Sequence, residues 1–430
     1  MLDFTVQSRT LNMHLSSKTL CLPLLVIIFF NHALLSKGSR HMLDGGKYYR
    51  NEVPIKTITV DDGDIYDCMK LGSHPRKRNP SILRKIQSRE KPSLHGTITT
   101  ANNSDHGSTR NRRRKAGAFK KVICPPGSFP VLKATKAGPL NFSAIESFAS
   151  LRARSFLKSK TIKPLVDIDP SLHEYATVSV TGSYGGGEGT LSVWQPRLED
   201  DSEMSLSQIW VLNKTPDDFS MSLEAGWMVN PRLYGDRRTR FFAFTSNDGF
   251  NSWLYNDNFR IPANNNLRFS RVDNYMPFGT QLDCSTIDGD HTELEIVIKQ
   301  DEDQDWGLWV DDTMIGFWPK SRYRKPYANK IIWGGEIVNK RTRGRHTSTQ
   351  MGNGHFSSEQ TGRVAYISNM ALYDLDLDRY DAPEAIDVHV TEPDCYDLKY
   401  FQFDDDDDDD DGYRQHITFG GPGYDRIKCP

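Results

Sequence analysis

The chain has 430 residues, and its 54 Lys and Arg nearly balance 56 Asp and Glu for a formal net charge of −2. That balance argues against a general nucleic-acid binder, and 37% hydrophobic with 11% aromatic residues excludes a wholly disordered chain. Only one apolar run approaches membrane length, which excludes a multi-span membrane protein, and at roughly 100–200 residues per domain the length suggests two or three units.

That run covers residues 20–30 and follows Arg9 and Lys18. At about 11 residues it is short for a span, so residues 1–33 read as a secretory signal, with a buried N-terminal helix or a signal anchor as the competing reading. Acceptor sequons at Asn102, Asn141 and Asn213 agree with secretion, although such triplets are common by chance. Six cysteines occur, at Cys21, Cys68, Cys124, Cys284, Cys395 and Cys429. Loss of a signal would remove Cys21 and leave an odd number, so in an oxidising compartment one thiol is free or pairs between chains. CxxC and HExxH are absent, and no metal or cofactor is expected.

Charge is uneven along the chain. Residues 71–121 hold 14 Lys/Arg and 2 acids, whereas residues 371–430 hold 18 acids and 5 bases. The cluster at residues 110–115 lies in a Ser/Asn/Gly/Thr-rich stretch, 92–116, that reads as an exposed, protease-accessible linker at a domain boundary. No aromatic residues interleave it, which disfavours a nucleic-acid patch. After it, Ile145, Phe148, Leu151 and Phe156 recur at helical spacing and predict a helix over 144–158.

From His173 onward the pattern changes to short apolar alternations punctuated by Gly, Asn, Asp and Pro. Ten runs qualify as strands: 177–181, 190–194, 208–212, 221–229, 240–244, 292–299, 307–310, 313–318, 330–338 and 362–371. Together they predict an all-β chain, an antiparallel β-sandwich of two sheets. All eight Trp lie between Trp194 and Trp333, so the folded heart belongs there. Gly185, Gly186, Gly187 and Gly189 lack the Lys-Ser/Thr of a phosphate loop and read as a strand-connecting turn, and the run of eight Asp at 404–411 cannot pack.

Nucleophile signals are missing: there is no GxSxG, and Cys284 has no supporting motif. What stands out is a pair of carboxylates inside apolar strands, Glu224 in SLEAGWMV and Glu336 in IIWGGEIV. By alternation Glu336 shares a face with Ile332, Gly334 and Val338, and Glu224 with Ser222 and Gly226. Burial raises a carboxyl pKa and a neighbouring carboxylate raises one of two further, so such a pair can supply an acid and a base. The plainer alternative pairs each Glu with an Arg, for example Arg240 or Arg363.

The segments Gln208-Ile209-Trp210-Val211, Glu224-Ala225-Gly226-Trp227 with Leu233-Tyr234-Gly235-Asp236, Trp333-Gly334-Gly335-Glu336 and the HTSTQMGNGHF run at 346–356 resemble the neprosin family of secreted plant proteins. These four motifs stand in order across residues 173–430. A weaker match, with the family's activation segment, covers Gly63 to Cys68, residues 79–87 and Cys124 to Gly127. The resemblance implies a glutamic endopeptidase on a β-sandwich, made as a zymogen, secreted, and cleaving next to proline at acid pH. It places the two catalytic glutamates on Glu224 and Glu336, with no metal, cofactor or covalent intermediate.

The implied domains are a signal at 1–33, an activation prosegment at 34–165 and a catalytic β-sandwich at 166–430. Its partner is a proline-containing peptide or protein; no nucleic acid, stable membrane insertion or oligomer is expected. Departures from the family pattern are Leu254-Tyr255-Asn256 in place of a Cys-Tyr-Asn loop, Ala243-Phe244-Thr245 in place of an aromatic-Trp-Thr run, and the Asp insertion. We further expect Cys68 to pair with Cys124 and Cys395 with Cys429, leaving Cys284 free; the basic stretch either helps to hold the prosegment against the acidic C-terminal region at neutral pH, with release in acid, or is a passive linker that never meets it. The rival class is a non-catalytic extracellular protein that holds a proline-rich or carbohydrate chain against a Trp-rich sheet by stacking.

Overall fold

A computed structural model describes residues 53–70, 113–115, 122–141, 143–144, 173–216, 218–250, 253–256, 258–260, 269–341, 344–359, 362–383, 385–402 and 414–429. The signal, most of the expected helix at 144–158 and the Asp run lie outside these residues. Among the described residues no helix is long and apolar enough to cross a membrane.

The N-terminal part contributes β1 (Lys56–Thr59), β2 (Ile65–Lys70), β3 (Arg113–Lys115), β4 (Ser128–Thr135) and β5 (Gly138–Pro139). Next come β6 (His173–Tyr184), β7 (Gly186–Ser192), β8 (Met204–Lys214), β9 (Phe219–Val229), β10 (Arg240–Ser246), β11 (Trp253–Tyr255) and β12 (Asn258–Arg260). The remainder are β13 (Ser270–Arg271), β14 (His291–Gln300), β15 (Trp306–Val310), β16 (Thr313–Trp318), β17 (Ala328–Val338), β18 (Ala365–Tyr373), β19 (Arg379–Asp381), β20 (Asp387–Val390), β21 (Asp397–Phe401) and β22 (His416–Gly420). The chain is an antiparallel β-sandwich, as its alternation predicts, and each of the ten expected runs overlaps a strand.

One sheet has eight strands in the order β12-β11-β10-β9-β8-β17-β6-β20. The other follows β13-β16-β15-β14-β7-β18-β22-β21, with β19 on β18 and β3 on β14. Between the sheets lies the main core, where Val211, Leu223, Trp227, Ile331 and Trp333 meet Leu294, Ile296, Ile298 and Leu308. Each of these burials is worth roughly 1.5–3 kcal/mol at most, or more for Trp.

Gly186, Gly187 and Gly189 are not a turn. They run inside β7, which lies between β14 and β18. A Cβ on Gly187 would strike Ile331 and one on Gly189 would crowd Ile367 and Trp333, so the missing side chains let the facing sheet close in. Trp227 Nε1 donates to Ser192 O at 2.9 Å and Trp333 Nε1 to Glu188 O at 2.8 Å, satisfying both buried indoles on β7 carbonyls. Strands β19 to β22 escape the sequence pattern because they are short, and β19 to β21 also carry charged residues.

β1, β2, β4 and β5 form a separate four-stranded sheet. Its residues Tyr66 and Leu132, with Val122 and Leu140, join Met228, Leu233, Tyr234 and Phe242 in a second apolar cluster on the outer face of the eight-stranded sheet. A buried ion pair fixes the contact: Arg240 Nη1 donates to Asp64 Oδ2 at 2.7 Å, and Nη2 donates to Asp236 Oδ2 at 2.7 Å. Arg240 therefore answers Asp64 and Asp236, not either glutamate. Disulfides join Cys68 to Cys124 and Cys395 to Cys429, and Cys284 is a free thiol. Of the basic cluster, β3 runs parallel to the start of β14, with Arg113 opposite His291, not along the acidic C-terminal strands.

Candidate active site

Sheet order decides where the two glutamates meet. β8 lies between β9, which carries Glu224, and β17, which carries Glu336. Across these strands Ile332, Trp210 and Glu224 form one transverse row, and Gly334, Gln208 and Gly226 the next. Glu336 and Leu206 form the third. Directly paired residues point to the same side of a sheet, so Glu224, Gln208 and Glu336 share its outer face. Gln208 stands midway along the diagonal joining the two carboxyls.

The glycines on either side of Gln208 are required there. Gly334 has φ of +146°, a conformation that side-chain-bearing residues rarely adopt, and a Cβ on it would collide with Ala176 O. A Cβ on Gly226 would collide with Ser207 O and the Gln208 side chain. The result is a floor on which Gln208 rises between two bare backbone positions.

Glu224 and Glu336 are both fully buried, at 0% exposure. Gln208 Nε2 donates to Glu224 Oε2 at 2.9 Å, and Ser222 Oγ lies 2.5 Å from Glu224 Oε1. Glu336 Oε1 lies 2.5 Å from His173 Nδ1. Among the described residues, Gln208 Oε1 and Trp210 Nε1 are buried without a hydrogen-bond partner, an acceptor and a donor side by side on the same floor. Both glutamates stand out in the sequence, whereas Gln208 has no role there beyond its motif and His173 marks only the onset of the strand pattern. For Gln208 the available signal was a polar residue alternating with Ile209 and Val211 in a strongly apolar strand.

A second polar cluster belongs to the HTSTQMG run. His346 Nε2 lies 2.7 Å from Glu174 Oε2, and Arg341 joins Glu174 to Glu392. Glu203, fully buried, accepts from Thr347 Oγ1 and Lys340 N at 2.8 Å each and also from Thr349 Oγ1. This cluster anchors the loop after β17. His346, Cys395 and Cys429 lie close together, but both sulfurs are spent in a disulfide, so they offer no thiolate pair to a metal.

Burial raises the pKa of the Cys284 thiol, with a hydrogen bond from Thr239 opposing, so it is not poised as a nucleophile. Of the sequons, Asn141 is exposed, whereas Asn213 is buried with its Nδ2 donating to Tyr327 O at 2.9 Å; Asn102 lies outside the described residues.

A family model described as Neprosin matches residues 201–422. Among solved structures, a scytalido-glutamic peptidase with a transition state analog inhibitor is 7% identical, covers 57% of this chain and 97% of its own, and has a TM-score of 0.31. SCP-B, a member of the Eqolisin family of peptidases in complex with the tripeptide Ala-Ile-His, is 8% identical, covers 58% of this chain and 98% of its own, and has a TM-score of 0.29. Overlays this distant carry no residue roles to this chain.

Proposed function

The chain belongs to the neprosin family, and from that premise we propose that it is a secreted glutamic endopeptidase that hydrolyses peptide bonds next to proline at acid pH, with Glu224 and Glu336 as its reacting pair. The observation that carries this reading is the placement of two buried carboxyls on one sheet face, flanking Gln208 and two glycines that leave room for a substrate backbone. A peptide lying over Gly226 and Gly334 would bring its amide groups to Gln208 Oε1 and Trp210 Nε1, which have matching polarity.

In this mechanism one glutamate is ionised and the other protonated. The carboxylate takes a proton from water as the water oxygen bonds to the scissile carbonyl carbon, and the carboxylic acid gives its proton to the carbonyl oxygen. On collapse the C–N bond breaks, the first glutamate returns its proton to the leaving nitrogen, and a hydroxyl proton of the intermediate restores the second. The cycle balances without a metal ion or a covalent enzyme intermediate.

The N-terminal segment, in this proposal, is the inhibitory prosegment, because its sheet packs on the same outer face as the pair. The test is incubation of the full chain at pH 3–5 with proline-containing peptides, followed by mass spectrometry. Cleavage next to proline that is lost in both Glu224→Gln and Glu336→Gln supports the reading. An uncleaved peptide that is nevertheless retained on the immobilised protein would favour the non-catalytic binder.

A further inference from the structure

Glu336 does not stand alone at its end of the diagonal. Its Oε1 lies 2.5 Å from Nδ1 of His173, and neither side chain is exposed to solvent. His173 opens β6 opposite Val338, one row beyond Tyr175, which is opposite Glu336. The His173 ring therefore reaches back along the face, and it stacks on Tyr175 with centroids 6.4 Å apart and planes 20° from parallel. That stack fixes the plane in which Nδ1 meets the carboxyl. Glu174, the next residue, points to the opposite face and pairs with His346 and Arg341.

At 2.5 Å a proton must lie between the two atoms. A neutral or protonated imidazole can carry a hydrogen on Nδ1 and an ionised carboxyl can only accept, so an Nδ1–H donating to Oε1 satisfies the contact. We propose, resting on the assignment of Glu336 as one of the reacting pair, that His173 is a positioning residue whose Nδ1–H holds Oε1 of Glu336 and so orients the carboxylate that takes the proton from water. Glu336 is then the base and Glu224 the acid. The partners of Glu224 suit its protonated form: Gln208 Nε2 donates to Oε2, and the Ser222 hydroxyl can accept from a proton carried on Oε1. Titratable neighbours of the His173–Glu336 pair include Tyr175 on β6 and, beyond it, His389 on β20, whose ring is 6.4 Å from that of Tyr175, and Glu224 on β9 shares the same face.

The contact is tested on the full chain by NMR with nitrogen-labelled histidine, independently of catalysis. A far-downfield Nδ1–H signal of His173 that vanishes in Glu336→Ala is expected; an Nδ1 without hydrogen, or a signal indifferent to Glu336, overturns the proposal. Kinetics then tests the role. His173→Phe keeps the ring and removes the donor, whereas His173→Asn keeps a donor near the position of Nδ1. Turnover should fall about tenfold or more in the Phe variant with KM changed by less than about twofold, and recover to within about threefold of wild type in the Asn variant. The acid limb of the kcat profile should move up by about one pH unit in the Phe variant, as expected when a donor to a carboxylate is removed. Equal turnover in wild type and the Phe variant, or equal losses in both variants, overturns the assignment. Should the Phe variant fail to fold, His173→Ala with added imidazole replaces it, recovery supporting the proposal and its absence overturning it. Absence of cleavage by the wild type would instead overturn the peptidase reading and leave the NMR contact to stand or fall alone.

Discussion

The two faces of the eight-stranded sheet are made by the same strands and could hardly differ more. Inward, β8, β9 and β17 present Ile209, Val211, Leu223, Ala225, Trp227, Ile331, Trp333 and Ile337 to the other sheet. Outward, the alternate positions carry Gln208, Ser222, Glu224 and Glu336 among large apolar side chains, all of them buried. The inner face needs only shape, since its two indole N–H groups are satisfied on β7. The outer face holds polar groups whose partners are spread over four strands, a costly arrangement unless those groups perform chemistry. Stability should therefore reside inward and activity outward.

Substitutions that separate the faces test that division. Glu224→Gln and Glu336→Gln keep volume and polarity but cannot exchange the proton. Each should lower turnover by about 10²–10⁴ or more while the melting temperature stays near wild type. A folded variant with near wild-type turnover would break the comparison at its strongest point. Trp333→Ala should do the reverse, costing about 3–5 kcal/mol in chemical denaturation through the lost contact with Gly189 and the emptied core.

Asp64→Ala probes the seam between the N-terminal sheet and the outer face. It removes one carboxylate from buried Arg240 while Asp236 remains, and a charged hydrogen bond of this kind is worth about 1.5–3 kcal/mol. Limited proteolysis at neutral pH should release the N-terminal segment faster than in wild type; an unchanged rate would show that the apolar cluster alone holds it.

The smallest effect concerns the loop after β17. Glu199 has its pKa lowered, first by the backbone N–H of Ser348 and then by the Ser348 hydroxyl and Arg345, with burial opposing. A carboxylate whose folded pKa is depressed stabilises the fold above its unfolded pKa, and that contribution disappears as pH falls through the folded value. Amide exchange at Ser348 should accordingly quicken only below the ordinary carboxylate range, and Glu199→Gln should show quick exchange at every pH. Glu199 is largely exposed, so less than about 1 kcal/mol is at stake.

Much of this molecule is legible in its sequence. Alternation in 292–299 and 313–318 located β14 and β16, and the unusual setting of Glu224 and Glu336 marked them before any fold was known. The glycines of β7 misled because glycine signals both a turn and a close approach of neighbouring chains; only the presence of Ile331 and Trp333 against them distinguishes the two. Strands β19 to β21 were missed because edge positions relax the demand for apolar residues, and their short charged runs look like loops, whereas β22, interior and largely buried, was missed because it is only five residues long.

Which side of its own strand each residue faces follows from local order alone, since it depends only on the two-residue period of extended backbone. Which strands are neighbours does not follow from local order. β8 and β17 are separated by more than a hundred residues, and their pairing is settled by the packing of two whole sheets and not by any local preference. That order puts Gln208 between Glu224 and Glu336. It also brings His173, 163 residues away in sequence, to within 2.5 Å of Glu336. The identity of the carboxyls was local information, whereas their partners, and hence their division of labour, exist only once the sheet has closed around them.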